Sequence, residues 1–66
     1  MKLRVNGEMQ LIEGSVSLEQ YLNRLKLRKE AVVCELNRSV VQKTHYAETY
    51  LEENDSLEIV HFVGGG

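Results

Sequence analysis

Three consecutive glycines, Gly64-Gly65-Gly66, are the last residues of this sequence and its most distinctive chemical feature. Glycine lacks a Cβ atom, so a glycine segment is a thin backbone that can adopt conformations closed to other residues. Three extended residues reach about 10 Å, and the last one carries an ionised carboxylate. We therefore expect a tail that threads a narrow channel and presents the Gly66 carboxylate to another protein's active site. On composition alone, a frayed chain end explains the same glycines.

The predicted strand before the glycines favours the functional interpretation. Leu57 and Ile59 are expected to face the core, and the alternation of a strand then directs Val60 and Phe62 outward. Phe62 is the only phenylalanine of the chain, and an exposed apolar patch on a small domain indicates a docking surface. We expect Val60, Phe62 and Val63 to dock a partner. In the competing interpretation, Phe62 folds back over the edge of the sheet.

The other residues capable of chemistry do not form a catalytic or metal-site pattern. Cys34 is the single cysteine and is expected to be a small buried hydrophobe. His45 and His61 show no ligand spacing with Cys34 that would suggest a zinc site. No nucleophile–base pair, P-loop or dinucleotide-binding fingerprint is present. We expect no catalytic residues and no bound metal or cofactor, so the chain is not expected to be an enzyme.

Size and charge exclude several classes of function. A chain of 66 residues forms one small domain of marginal stability, with little interior for an enclosed active site. The net charge of −2 gives no basic footprint of the kind that nucleic-acid binders use. No apolar run has the length that a membrane span requires. We expect a cytoplasmic protein that binds neither nucleic acid nor membrane.

The first residues predict a β-hairpin. Residues 2–5 alternate between charged and apolar side chains, which is typical of a half-buried strand. Asn6-Gly7 follows and is a strong signal for a tight turn, because both residue types tolerate positive φ. Met9 and Leu11 then alternate with polar residues in a returning strand, and we expect both to face the core.

A helix and three further strands are predicted after the hairpin. Ser17 and Gln20 have the spacing of a capping box, which predicts a helix over about residues 18–27. Val16 and Tyr21 are placed to form the accompanying hydrophobic staple. The remaining predicted elements are strands at 31–36, 40–41 and 57–63, with a short helical turn around Tyr46 before the last strand.

This order of elements predicts an α+β fold of the β-grasp (ubiquitin-like) type. A mixed sheet of four to five strands is crossed by one main helix, with the domain over residues 1–63 and a flexible tail over residues 64–66. The helix is expected to contribute Leu18, Leu22 and Leu25 to the core. The sheet residues expected to face them are Leu3, Val5, Met9, Leu11, Val32, Cys34, Leu36, Leu57 and Ile59.

The chain resembles, essentially from end to end, the ThiS-type sulfur carriers of thiamine thiazole biosynthesis. The resemblance rests on the Asn6-Gly7 hairpin, the turn at residues 36–41 and the aromatic Tyr46. Its most specific part is the stretch of residues 58–66, which ends in the glycines.

Two positions depart from the family pattern. Members often carry Pro-Arg where this chain has Gln42-Lys43, and Gly where it has Asn54. Asparagine adopts the left-handed conformation more readily than most residues, so we expect the turn at Asn54 to be retained.

The resemblance implies a mechanism in which partners perform the catalysis. An E1-like adenylyltransferase of the ThiF type would use ATP and Mg²⁺ to adenylate the Gly66 carboxylate. A persulfide sulfur from a donor such as a cysteine desulfurase would replace AMP and leave a C-terminal thiocarboxylate. Thiazole synthase of the ThiG type would then accept the sulfur.

Three alternatives remain open. The small subunit of molybdopterin synthase shares the fold, the tail and the chemistry, although it is usually somewhat longer. A ubiquitin-like modifier would instead join its tail to a lysine of a target protein. A β-grasp module that binds RNA or a regulatory ligand would carry the tail incidentally.

Overall fold

The computed structural model describes residues 1–62, and its elements follow one another in the predicted order. The predicted tail, residues 64–66, and Val63 lie outside the described residues. The elements are β1 (Lys2–Val5), β2 (Glu8–Leu11), α1 (Leu18–Arg24), a 3₁₀ turn (Lys29–Ala31), β3 (Val32–Leu36), β4 (Ser39–Val40), a second 3₁₀ turn (Lys43–His45) and β5 (Ser56–His61).

The strands form one mixed sheet in the order β2-β1-β5-β3-β4. The last strand of the chain, β5, is the central one; it runs parallel to β1 and antiparallel to β3. Leu18 and Leu22 of α1 share one buried cluster with Leu3 and Leu57 of the sheet, so the helix covers one face. The predicted β-grasp fold is confirmed. Within residues 1–62, no helix has the length and hydropathy that crossing a bilayer requires.

The helix begins at the predicted capping box. The Ser17 hydroxyl accepts a hydrogen bond from the Gln20 backbone N–H at 3.1 Å, and the Gln20 side chain accepts one from the Ser17 N–H at 2.9 Å. These bonds satisfy donors that the first turn of a helix leaves free.

The helix ends three residues earlier than predicted. Lys26 has a φ of +60°, and the chain reverses there. The N–H of Leu27 donates to the Leu22 carbonyl at 2.9 Å and that of Lys26 to the Asn23 carbonyl at 3.0 Å, which is the Schellman arrangement. Leu25 therefore leaves the inward stripe and is 43% exposed, so its predicted place in the core is wrong. Leu27 packs against the core instead.

The predicted inward direction of Met9 and Leu11 is also wrong. The two-residue turn pairs Val5 with Glu8, and Met9 and Leu11 consequently lie beside Arg4 and Lys2. Directly paired residues share a face of the sheet, and β1 buries Leu3 and Val5. Met9 and Leu11 thus lie on the opposite face, where their exposed fractions are 52% and 82%.

Residues from the connecting segments complete the core. Ile12, Tyr46 and Leu51 are buried although none of them belongs to a strand or to α1. The predicted staple residues Val16 and Tyr21 are buried as well. Among the predicted sheet positions, the fully or partly buried ones are Leu3, Val5, Val32, Cys34, Leu36, Leu57 and Ile59.

Tyr46 is the largest fully buried side chain, and its hydroxyl has no hydrogen-bond partner among the described residues. The hydroxyl lies near Cys34, but the contact lacks the geometry of a hydrogen bond. Burial is the main cause that raises the pKa of Tyr46 to about 12, and the neighbouring thiol adds to it. The fold therefore strongly favours the neutral phenol.

This burial predicts a loss of stability at alkaline pH. The phenol ionises near pH 10 in the unfolded chain, but only at about pH 12 in the folded one. Its contribution is therefore present below pH 10 and is lost as the pH rises from about 10 to 12. Urea unfolding should show a shallower alkaline fall for Tyr46→Phe than for the wild type.

Tyr50→Phe is the matched control, because Tyr50 is 52% exposed; it should keep the wild-type fall. Burial also raises the pKa of Tyr21, which is present in every variant and cancels in the comparison. Burial raises the pKa of Cys34 as well, and because this thiol interacts with Tyr46, all of the variants are compared in a Cys34→Ala background. Equal alkaline slopes for the wild type and Tyr46→Phe would contradict the prediction.

Candidate functional site

The face of the sheet turned away from α1, here called the outer face, is the candidate functional surface. The strand registers place residues of all five strands on it. Its residues are Met9 and Leu11 of β2, Lys2 and Arg4 of β1, Ser56, Glu58 and Val60 of β5, Val33 and Glu35 of β3, and Val40 of β4.

The outer face carries the exposed apolar side chains predicted for β5. Val60 is 57% exposed, and Phe62, which follows the strand, is 50% exposed. The Phe62 N–H donates to the Ala31 carbonyl at 2.8 Å, so the chain continues alongside β3 and does not turn over the sheet edge. The exposure of both residues agrees with the sequence analysis. Their role in docking stays a prediction, and Val63, Gly64, Gly65 and Gly66 lie outside the described residues.

Charged residues of both signs occupy the middle of the outer face. Lys2 and Arg4 are exposed on β1, and Glu35 and Glu58 lie directly opposite each other on β3 and β5. Like charges at paired positions of adjacent strands are destabilising. The two ion pairs formed within residues 1–62, Arg28–Glu30 and Lys29–Glu19, involve none of these four residues.

The turn between β1 and β2 fixes one side of β5. Asn6 and Gly7 have φ values of +51° and +83°, as a two-residue hairpin turn of the left-handed type requires. The Asn6 side-chain oxygen accepts a hydrogen bond from the Ile59 N–H at 2.7 Å, and the Asn6 N–H donates to the Leu57 carbonyl at 2.9 Å. The hairpin turn therefore also positions the middle of β5.

The turn between β3 and β4 fixes the other side of β5. Asn37 has a φ of +52°, and its side-chain oxygen accepts from the Ser56 N–H at 2.9 Å. Its N–H donates to the Ser56 carbonyl at 2.7 Å, and its amide group donates to the Asp55 carboxylate at 2.9 Å. Asn54 adopts a φ of +70°, so this asparagine does retain the turn, as expected.

The remaining candidate side chains do not join the outer face. Cys34 is completely buried on the other side of the sheet, and burial raises the pKa of its thiol, which disfavours the reactive thiolate. Among residues 1–62 no group of three potential metal ligands comes together. A cavity of about 240 Å³ beside α1 is lined by Glu19, Leu22 and neighbouring residues, none of which was a predicted site residue.

The bond from Ile59 to Asn6 can be tested by substitution. Asn6→Gly keeps access to positive φ but removes the side-chain acceptor, so we expect a loss of about 0.5–1.5 kcal/mol in the free energy of unfolding. Hydrogen exchange at the Ile59 amide should become faster. Asn6→Asp retains an oxygen at this position and should largely preserve protection.

The backbone N–H of Asn37, which donates to the Ser56 carbonyl at the start of β5, is the internal reference for exchange elsewhere along this strand. Equal relative protection of Ile59 in the wild type and in Asn6→Gly would show that the side-chain bond does not hold β5.

Comparisons with known proteins extend over the whole chain. The sequence model of the ThiS family matches residues 3–66. The sulfur carrier protein ThiS of Bacillus subtilis is 34% identical over 65 residues, which cover 97% of this chain and 98% of that protein. A thiazole synthase of Magnetococcus marinus is 41% identical over all 66 residues, but these cover only 20% of its length. The chain thus spans a fifth of that relative.

A solved structure agrees with both the sequence match and the fold. The crystal structure of the thiamine biosynthesis protein ThiS from Geobacter metallireducens superposes with a TM-score of 0.84 at 33% identity, and the match covers both chains completely. Together with the family match over residues 3–66, this superposition shows that the chain belongs to the ThiS family.

Proposed function

We propose that this chain is a sulfur carrier of thiamine biosynthesis that carries sulfur as a thiocarboxylate on Gly66. The observation that carries the proposal is the ThiS family match, which extends through the terminal glycines. The Bacillus subtilis relative, which is named as a sulfur carrier, has nearly the same length. The similarity to part of a thiazole synthase supports thiazole formation as the destination of the sulfur.

The proposed chemistry begins with activation of the Gly66 carboxylate. A carboxylate resists nucleophilic attack, and an E1-like adenylyltransferase overcomes this by transferring AMP from ATP–Mg²⁺ to the carboxylate and releasing pyrophosphate. The terminal sulfur of a persulfide, supplied by a donor such as a cysteine desulfurase, then attacks the carbonyl and expels AMP. A thiol cleaves the resulting S–S bond and leaves the thiocarboxylate, whose sulfur passes to thiazole synthase.

The described residues support a division between a docking surface and a reactive end. The last described bond, from Phe62 to Ala31, fixes the chain four residues before Gly66. Four extended residues span at most about 14 Å. A partner that docks on Val60 and Phe62 could therefore receive the Gly66 carboxylate in a recessed active site. In this proposal the partners supply all of the catalytic groups.

The proposal is tested by adenylation with a purified activating enzyme. Exchange of radiolabelled pyrophosphate into ATP should depend on the carrier and should be lost when Gly66 is deleted, because the carboxylate then ends one residue short. Circular dichroism and urea unfolding should show that the deletion variant is folded. Full exchange activity without Gly66 would contradict the requirement for a carboxylate at that position.

The docking role of Phe62 is tested separately. Phe62→Asp places a charge in the apolar part of the outer face, and we expect the KM for the carrier in the exchange reaction to rise at least about tenfold, in line with the cost of truncating a central interface side chain. Tyr50→Asp is the matched control, because Tyr50 has a similar exposed fraction and its backbone pairs with Ser17, away from the outer face. A KM equal to that of the wild type would remove Phe62 from the interface.

A further inference from the structure

The outer face has a pattern that is complementary to itself. Apolar Met9 and Leu11 lie at one corner, and apolar Val33 and Val60 lie at the diagonally opposite corner. The basic and acidic residues lie between these corners, with the basic pair on β1 and the acidic pair on β5 and β3. We infer that two copies of this chain associate through their outer faces about a two-fold axis.

The strand registers give the position of an axis that would pair the opposite charges. Arg4 pairs with Ser56, so Glu58 is one strand across and two residues along from Arg4. An axis in the plane of the face, passing midway between Arg4 and Glu58 and perpendicular to the line joining them, places each Arg4 over Glu58 of the second copy. With strands about 4.8 Å apart and a rise of about 3.3 Å per residue, Lys2 then falls within about 3 Å, laterally, of Glu35 in the second copy.

The same axis also matches the apolar corners. In the same flat projection, Leu11 falls over Val33 of the second copy and Met9 falls within about 3 Å of its Val60. The strands of the two copies cross at roughly 110°, which is close to the orthogonal packing that sheets adopt. The same two-fold rotation that pairs the charges thus covers Leu11, the most exposed of the large apolar side chains in the described residues.

The proposed dimer also explains how the paired like charges of Glu35 and Glu58 are offset. These carboxylates face each other within one copy, and neither forms an ion pair with a described residue. In the dimer, Lys2 and Arg4 of the second copy bring two cations to them. The two-fold axis repeats this arrangement, so the interface contains four charge contacts of opposite sign and no net charge from these side chains.

This inference stands without the proposed function, but it has a consequence for that function. The dimer covers Val60, which the proposed activating enzyme also uses. Self-association and activation therefore exclude each other, and carrier at high concentration should be activated less efficiently per molecule.

Sedimentation equilibrium of the full chain at low salt tests the inference. The monomer mass is 7.6 kDa, and the wild type should approach twice this mass between about 10 µM and 1 mM, a range suited to a small, weak interface. Arg4→Glu brings two pairs of glutamates together, and Glu58→Arg brings two pairs of arginines together. Each variant alone should associate at least about tenfold more weakly.

An equimolar mixture of the two variants is the decisive sample. In a mixed dimer, the chain with two acidic side chains at positions 4 and 58 faces a chain with two basic side chains there, so association should return to at least the wild-type level. The double variant Arg4→Glu/Glu58→Arg should also associate like the wild type. Arg24→Glu and Glu48→Arg, at exposed positions outside the outer face, are the matched controls and should not change association.

A wild type that remains monomeric at the highest concentration would overturn the inference and leave the outer face to a different partner. The inference also fails if the single variants dimerise like the wild type, because the contact would then use another surface. Circular dichroism checks that each variant is folded. A mixture of folded variants that stays monomeric would exclude the proposed axis even if the wild type dimerises.

Discussion

Two asparagine side chains bind the backbone of the central strand and connect it to the hairpins on either side. Asn6 and Asn37 each occupy a left-handed position in a tight hairpin turn, and each accepts a hydrogen bond from a backbone N–H of β5. Few residues combine tolerance of positive φ with a short side-chain acceptor. Each hairpin therefore fixes its own turn and also its position relative to β5, which follows both turns at a distance along the chain.

This constraint connects the core to the candidate functional surface. Because β5 is held between β1 and β3, Leu57 packs against the helix while Glu58 and Val60 are presented on the other side. The same strand thus stabilises the fold and presents exposed residues shortly before Phe62 and the glycines in the sequence. A partner that binds the outer face would contact a rigid surface whose backbone bonds are already formed, which limits the entropy lost on binding.

Local signals in the sequence predicted much of the fold, and the errors have physical causes. Asn6-Gly7 and the Ser17–Gln20 box are self-contained motifs, so they identified the first hairpin and the helix start correctly. Periodicity alone misplaced Met9 and Leu11, because a two-residue turn fixes the register and thereby overrides the apparent inward pattern. Leu25 was misplaced because the helix ends before Lys26, which adopts a left-handed conformation that glycine usually occupies at this position. The buried Tyr46 belongs to a segment without a period that could reveal its burial.

The candidate surface was only partly visible in the sequence. Alternation within β5 is a local property and predicted the exposed Val60 and Phe62. The diagonal arrangement of Arg4 and Glu58 depends on the pairing of β1 with β5, strands that lie near opposite ends of the chain, and no local pattern contains it. The proposed chemistry of the tail was inferred from the terminal glycines and from the family resemblance.

Intact-mass measurement with C-terminal fragmentation tests the central claim most directly. The chain would be incubated with ATP, a sulfur source and extract of its host, with a known sulfur carrier as the positive control. Replacement of one oxygen by sulfur, localised to Gly66, is the predicted result; localisation matters because oxidation of a methionine or of Cys34 adds nearly the same mass. An unmodified Gly66 in an extract that thiolates the control carrier would contradict the proposed function.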